Sequence, residues 1–182
     1  PLADSLPWFV VTTELFTPAR DYLDVSPSYG LRTEKMLLGH SIHLKPREID
    51  ALAETGAKPV FCPTSNLFLG SGLFDDAGLR SRGITNAIAT DIGAGTSYSM
   101  LQTLNEGYKI LQLQGQKLHP LAAFDWITRG NATALGLADR IGPLEAGTEA
   151  ALVVLAPKDT HARAPRARRA ETQSGARPHP PP

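Results

Sequence analysis

The sequence predicts an α/β protein with a parallel sheet, corresponding to the C-terminal half of a (β/α)8 TIM-type barrel. Three short apolar runs are each followed by a polar loop and a helix-like pattern, and successive strand–helix units of this kind favour a parallel sheet. The runs end at three different chemical groups, those of His40, Cys62 and Asp91. The chain has 182 residues, whereas a complete barrel typically needs about 250. A whole barrel therefore does not fit, and the chain reads as a C-terminal piece.

The first strand–helix unit is predicted over residues 34–56. Scattered aromatic residues and prolines over residues 1–33 indicate short helices and loops ahead of it. Residues 34–40 are typical of a buried strand. A helix then opens at Pro46 and closes before Gly56, because proline favours the first helical turn and glycine favours the position after the last one.

The second and third units repeat this order. A strand is predicted over residues 57–62 and ends at Pro63, with a loop over 67–78 and a short helix near 77–82. The third strand covers residues 84–90. A long amphipathic helix follows over 98–114, where apolar residues recur at spacings of three and four.

The remaining sequence predicts closing helices, an outer strand and a tail. Helical patterns cover residues 120–128 and 131–137, and a turn covers 142–147. Residues 1–150 are therefore assigned to the partial barrel, and 151–155 to a short strand that pairs outside it. Residues 156–182 are rich in Ala, Arg and Pro without apolar periodicity, which predicts a disordered tail.

Composition favours a small-molecule partner. Lys plus Arg equals Asp plus Glu, at 18 each, so net charge gives no reason to expect nucleic acid or an anionic membrane as the partner. Cys62 is the only cysteine, which excludes an internal disulfide and favours a reducing compartment. No apolar run approaches the roughly 18 residues of a membrane span. We therefore expect a soluble, cytoplasmic protein.

The polar residues at the strand ends are the candidate site. A lone imidazole or carboxylate at the C-terminal end of a barrel strand lies at the catalytic rim, so His40 and Asp91 are expected to converge on one cavity from neighbouring strands. Asp91 could instead cap a helix, but Gly93 and Gly95 behind it favour a close loop. Cys62 is interpreted as a small buried residue. For Asn66, loop hydrogen bonding and an approach to substrate remain equal alternatives.

Several motifs resemble the amidohydrolase superfamily and, within it, the guanine deaminase family. They are GHSIHL at 39–44, CPTSNLFLGSG at 62–72 and TDIGAGTSYSM at 90–100. The stretches NLFLGSG and GTSYSM favour the guanine deaminases over their relatives. NATALGL at 131–137 and IGPLEAG at 141–147 are similar to the closing helices and return turn of the superfamily. The likeness extends over about residues 1–155.

The resemblance implies a metal-dependent hydrolytic deaminase that converts guanine, a small purine, to xanthine and ammonia. The metal is expected to be one Zn²⁺ ion per complete site, with iron as an alternative, and zinc lowers the pKa of its bound water to about 7. By its match to the motif, Asp91 is the metal ligand and takes the proton of the attacking water. His40 contacts the metal-bound water or the substrate. The resemblance also implies a homodimer for the complete protein.

Two departures from the family pattern bear on activity. The family ends strand five with a His-Leu-Ala-Glu-Asn-like run, whereas residues 1–5 read PLADS. Pro1 cannot ligate zinc through its side chain, and Asp4 is expected to stand, one methylene shorter, for the glutamate that meets the substrate. The two-histidine motif of strand one is absent from this chain. With one of the usual four ligands present, the chain alone is predicted to have weak activity or none.

Two alternatives stay open at the level of sequence. The chain could belong to another amidohydrolase that acts on a triazine, a pterin or an adenosine-like ring, because one metal site serves many substrates. It could also be a non-catalytic half barrel that assembles with a partner chain through exposed strand edges.

Overall fold

The computed structural model of the chain describes residues 21–24, 30–149 and 151–154. The chain divides into one unit over Pro1–Ala150 and another over Ala151–Pro182. The interpretations of Pro1 and Asp4, and of the tail at 156–182, lie outside the described residues.

The described part of the first unit alternates strands and helices. After a 3-10 turn at Tyr22–Asp24 the elements are β1 (Leu37–Gly39), α1 (Pro46–Thr55), β2 (Lys58–Phe61), α2 (Pro63–Leu69), α3 (Asp76–Ser81), β3 (Ala87–Ile88), α4 (Met100–Leu113), α5 (Pro120–Asp125), a π-helical segment (Trp126–Gly130) and α6 (Asn131–Ala134).

The three strands form a parallel sheet in the order β1-β2-β3. Leu38 lies opposite Pro59, and Phe61 lies opposite Ile88. The prediction of a parallel sheet built from strand–helix units is confirmed. Each strand is shorter than its apolar run because apolar patterning follows burial, whereas a strand needs a paired backbone neighbour.

Helix α1 begins and ends at the predicted residues. Pro46 occupies its first turn, and Gly56 ends it with φ of 71°, a conformation that glycine adopts without steric cost. The buried Glu48 carboxylate accepts hydrogen bonds from the backbone N–H groups of Lys45 (2.9 Å) and Leu23 (3.0 Å). The start of α1 is therefore joined to the preceding 3-10 turn.

Helix α2 was not predicted, and its last residues correct the start of the loop predicted over 67–78. Proline ends β2 as expected, but it also begins a helix, because its missing N–H and fixed φ suit the first helical position. The first four residues of α2 are buried, and Gly70 ends the helix with φ of 66°. The predicted loop over 67–78 begins in fact at Gly70.

Aromatic side chains make the centre of the core. Phe61 of β2 stacks on Phe74 with ring centroids 4.7 Å apart, and its centroid lies 5.9 Å from that of Trp126. Helix α4 covers this side of the sheet with Gly107, where an added Cβ would approach Phe61 to 3.2 Å. The close approach of α4 to β2 accounts for a glycine in the middle of this helix.

The two closing helices are joined rather than separate. From Pro120 to Ala134 the backbone stays helical, with a π-helical segment at Trp126–Gly130 where a break was predicted. The Trp126 indole donates to the backbone oxygen of Asn86 (3.2 Å). The Asn131 side chain then pairs with Ile88 of β3, accepting from its N–H and donating to its oxygen, both at 2.9 Å.

The predicted outer strand at 151–155 is not formed by residues 151–154, which have no strand pairing and are exposed. A strand requires hydrogen bonds from a second segment, and the described residues of this unit supply none. Leu155 lies outside the described residues. Across the described ranges, no helix combines the length and the apolar character that a bilayer crossing requires.

Candidate active site

The backbone is strained at the two residues predicted to form the site. Of the described residues other than glycine, His40, Ser41 and Asp91 have positive φ, at 66°, 49° and 50°. This left-handed conformation costs a non-glycine residue on the order of 1–3 kcal/mol and is concentrated at functional sites. The turns after β1 and β3 therefore hold the side chains of His40 and Asp91 in unusual directions.

His40 and Asp91 lie close together at the carboxyl end of the sheet. The His40 Nε2 atom is 3.8 Å from Asp91 Oδ2, and the two side chains are 45% and 31% exposed. The expectation that they extend from neighbouring strands is wrong, because β2 lies between β1 and β3. The turns after β1 and β3 instead bring the two groups together across the end of β2.

Cys62, which follows β2, completes the cluster. Ligand atoms of His40, Cys62 and Asp91 all lie within 4.8 Å of one another. Cys62 is buried, as predicted, and burial raises the pKa of its thiol, with a smaller rise from the Asp91 carboxylate and a lowering by the His40 backbone. Sequence reasoning did not include Cys62 in the site, although its position at the end of a strand was the available signal.

Helix α2 connects to both turns of the site. The Asn66 Nδ2 atom lies 3.0 Å from His40 Nδ1. The Thr64 hydroxyl donates to the backbone oxygen of Thr90 (3.0 Å), next to Asp91. Helix α2 therefore holds both the turn after β1 and the turn after β3.

Gly95 closes the loop that carries Asp91. Its N–H donates to the Asp91 backbone oxygen at 2.5 Å. An added Cβ would lie 1.9 Å from the Thr90 oxygen and 2.8 Å from Thr64 Oγ1. The predicted close loop between β3 and α4 is formed, and it leaves no space for a side chain at this position.

The cluster has the chemistry of a metal site. Asp91 Oδ2 is buried and has no hydrogen-bond partner among the described residues, and an unpaired buried carboxylate oxygen is costly unless a cation or a donor meets it. Thiolate and carboxylate are ligand types that Zn²⁺ uses in proteins. Asp91 and Cys62, with His40 beside them, therefore fit a zinc ion.

Two other features lie apart from this cluster. His43 Nε2 contacts the backbone oxygen of Ser71 (2.7 Å) at the surface. A cavity of about 470 Å³ is lined by Asn86 and Trp126 among others. Because Asn86 precedes β3, this cavity lies at the amino end of the sheet, opposite the cluster.

Several known proteins are similar to this chain in sequence and in fold. The model of the amidohydrolase family matches residues 5–176. Guanine deaminase of Escherichia coli (strain K12) is 45% identical over 157 residues, 86% of this chain and 35% of that protein. The solved structure titled "E. coli Guanine Deaminase" superposes with a TM-score of 0.74 at 47% identity, covering 76% of this chain and 32% of that one.

A zinc-bound relative has a similar fold. A structure titled as an adenosine deaminase from Xanthomonas campestris with bound zinc superposes with a TM-score of 0.66 at 28% identity. The superposition covers 81% of this chain and 33% of that chain. The present chain thus spans about a third of the length of the relatives that it matches.

Proposed function

The chain belongs to the amidohydrolase family, and from that membership we propose that it forms part of a metal-dependent deaminase that hydrolyses guanine to xanthine and ammonia. The observation that carries the proposal is the approach of His40 Nε2 to Asp91 Oδ2, 3.8 Å apart at the carboxyl end of a parallel sheet. The similarity to the guanine deaminase of E. coli supports guanine as the substrate.

We propose that the sheet is the C-terminal half of a (β/α)8 barrel. Its strands are parallel and follow one another in space as they do in sequence, as in barrels. In barrels the active site lies at the carboxyl ends of the strands, which is where His40, Cys62 and Asp91 meet.

Asp91 is proposed as the metal ligand, with His40 and Cys62 beside it in the same cluster. A bound Zn²⁺ ion would supply hydroxide at neutral pH and polarise the reacting ring. We assign the shielded Oδ2 of Asp91 to hold the metal and to receive the proton of the attacking water. We assign the imidazole of His40 to hydrogen-bond the oxygen or the substrate, because its side chain is 45% exposed and thus accessible to a small molecule.

Asp4 is proposed to contact the substrate, on the match of its segment to the family motif, and it lies outside the described residues. The same match puts Pro1 where the family has a metal-ligating histidine. The chain alone is therefore proposed to have weak activity or none.

Complementation tests this function. The chain would be mixed with Zn²⁺ and with an N-terminal segment of the E. coli guanine deaminase that carries the family's strand-one and strand-five histidines, and xanthine formation would be followed. Turnover is expected in the mixture and not with the chain alone, and an Asp91→Asn chain serves as the matched inactive control. Full turnover by the chain alone would contradict the conclusion that it carries one of the four usual metal ligands. Equal turnover with Asp91→Asn would contradict the role of Asp91.

Adenosine-like rings are the second candidate substrates. The similarity to the zinc-bound adenosine deaminase of X. campestris favours them. Product analysis of the complemented enzyme with guanine, adenosine, a pterin and an aminotriazine distinguishes the two, since the preferred substrate is the one with the highest kcat/KM.

A further inference from the structure

We propose that Asn66 is a positioning residue that fixes the tautomer of His40, so that His40 Nε2 carries a hydrogen toward Asp91. The consequence for catalysis rests on the function proposed above. The tautomer itself can be measured without metal, substrate or turnover.

The side-chain amide of Asn66 is oriented with its nitrogen toward the imidazole of His40. Asn66 Nδ2 lies 3.0 Å from His40 Nδ1. An amide nitrogen donates hydrogen bonds and accepts none, so Nδ1 must accept. A neutral imidazole carries its single hydrogen on the nitrogen that is not the acceptor, which is Nε2.

The backbone of Asn66 is held in place. Asn66 is buried in α2, where its N–H donates to the Cys62 oxygen and its oxygen accepts from the Ser71 N–H, both at 2.9 Å. By contrast, the His40 side chain is nearly half exposed. The buried amide of Asn66 is therefore the partner that orients the half-exposed ring of His40.

The assigned tautomer defines what His40 can do at the cluster. Nε2 lies 3.8 Å from Asp91 Oδ2. A protonated Nε2 has no lone pair for a metal ion, but it can donate a hydrogen bond to a carboxylate, to an oxygen bound at the site or to a substrate ring atom. Asn66 thus makes His40 a donor and leaves metal ligation to its neighbours.

Two other asparagines have structural roles, and their hydrogen bonds differ from those of Asn66. Asn86 uses both ends of its amide, donating to Asp76 and accepting from Arg80. Asn131 also uses both ends, on the N–H and oxygen of Ile88. Asn66 uses Nδ2 on His40, and its Oδ1 has no partner among the described residues. The contact with His40 is therefore the side-chain hydrogen bond that Asn66 makes in this part of the chain.

Nitrogen NMR of the ¹⁵N-labelled chain tests the proposal, because protonated and unprotonated imidazole nitrogens resonate in separate regions. At a pH of about 9, where histidines are generally neutral, His40 is expected to show an unprotonated Nδ1 and a protonated Nε2. In Asn66→Asp the carboxylate can only accept, so Nδ1 of His40 is expected to become protonated. A His40→Gln variant assigns the signals.

His43 is the internal control. Its Nε2 faces the Ser71 carbonyl oxygen and must be protonated, so its signals should be the same in wild type and Asn66→Asp if the fold is intact. A protonated Nδ1 on His40 in the wild-type chain would overturn the proposal, and so would an unchanged Nδ1 signal in a folded Asn66→Asp. If Asn66→Asp does not fold, the wild-type spectrum alone decides. Loss of guanine turnover would count against the proposed function and not against this assignment.

Discussion

Several residues at the site have features that lower the stability of the fold but set the positions of their side chains. His40 and Asp91 keep left-handed backbones, and Asp91 and Asn66 each bury an oxygen without a partner. Each feature is unfavourable in isolation, and the residues that carry them are neighbours, since Asn66 contacts His40 and His40 lies beside Asp91.

Asp91→Asn is expected to weaken metal binding without lowering the stability of the metal-free chain. The substitution keeps the size of the side chain and removes a shielded charge, so the free energy of unfolding of the metal-free chain should stay the same or rise. Saturating Zn²⁺, at about 100 times its Kd, should stabilise the wild-type chain by about 2.7 kcal/mol and the variant much less. Thermal unfolding with and without Zn²⁺ measures both effects. Equal stabilisation of the two proteins would contradict the assignment of Asp91 as a ligand.

Gly95→Ala is expected to displace Asp91. The new Cβ would lie 1.9 Å from the Thr90 oxygen, and overpacking of this kind costs about 1–3 kcal/mol. Urea unfolding measures the loss. Gly39→Ala is the matched control, because an added Cβ meets nothing within 4 Å at Gly39. If both variants lost equal stability, the close loop around Gly95 would not be the cause.

Neighbouring helices, strands and turns are connected by side chains that bind the backbone or a charged side chain of another element. Asp21 lies before the 3-10 turn and pairs with Lys45 (2.6 Å) and Arg47 (2.5 Å) at the start of α1. Hydrogen bonds from Lys45 and Arg47 lower the pKa of Asp21 below its ordinary 3.8. These pairs connect the 3-10 turn to helix α1.

The Asp21 pairs are expected to make stability depend on pH. A lowered folded-state pKa means that this contribution is complete above the ordinary pKa and is lost as the pH falls through the lowered value. Wild type should therefore be more stable than Asp21→Asn at neutral pH, and the difference should shrink on acidification below about pH 4. Urea unfolding of both proteins across this range measures it. A difference that is constant with pH would exclude the ion pairs as its source.

Asn131 protects the backbone of β3. Its amide makes both hydrogen bonds to Ile88, so Asn131→Leu is expected to destabilise the chain by about 1–3 kcal/mol by leaving buried backbone groups unpaired. Asn105→Leu, at an exposed position of α4, is the control and should change stability by less than about 0.5 kcal/mol. Chemical unfolding compares them, and similar losses would argue against a special role for Asn131.

At the scale of the whole molecule, the described part of the first unit exposes large apolar side chains. Tyr98, Leu121 and Leu113 are 84%, 74% and 73% exposed. Apolar surface of this kind is typical of sites that contact more protein. The chain also spans about a third of the length of its relatives.

We expect the chain to associate with the N-terminal segment of the E. coli relative. The mixture should elute as a complex with the summed mass of its two components, measured by light scattering. The Asp91→Asn chain should associate equally well, because assembly depends on apolar surface and strand edges rather than on one carboxylate. Association without turnover by the wild-type chain would favour the non-catalytic half barrel. Absence of association would contradict the half-barrel proposal.

Parts of the fold could be predicted from local sequence. Pro46 and Gly56 marked the ends of α1, and the apolar spacing marked α4, because capping and periodicity act within a few residues. Helix α2 was missed because a proline that ends a strand can also begin a helix, and the burial of the residues after Pro63 is not specified locally. The strand at 151–155 could not be judged locally, since its partner is not specified by its own sequence.

The sequence by itself determined the order of strands and helices and the polar groups at three strand ends. Tertiary structure decided that β2 separates β1 from β3, that the turns bring His40 to 3.8 Å from Asp91, and that Cys62 and Asn66 join them. The physical reason is the distance along the chain over which each interaction acts. Helix caps and strand patterns depend on neighbours in the chain, whereas strand register and left-handed turns set the distances between residues that lie far apart in sequence.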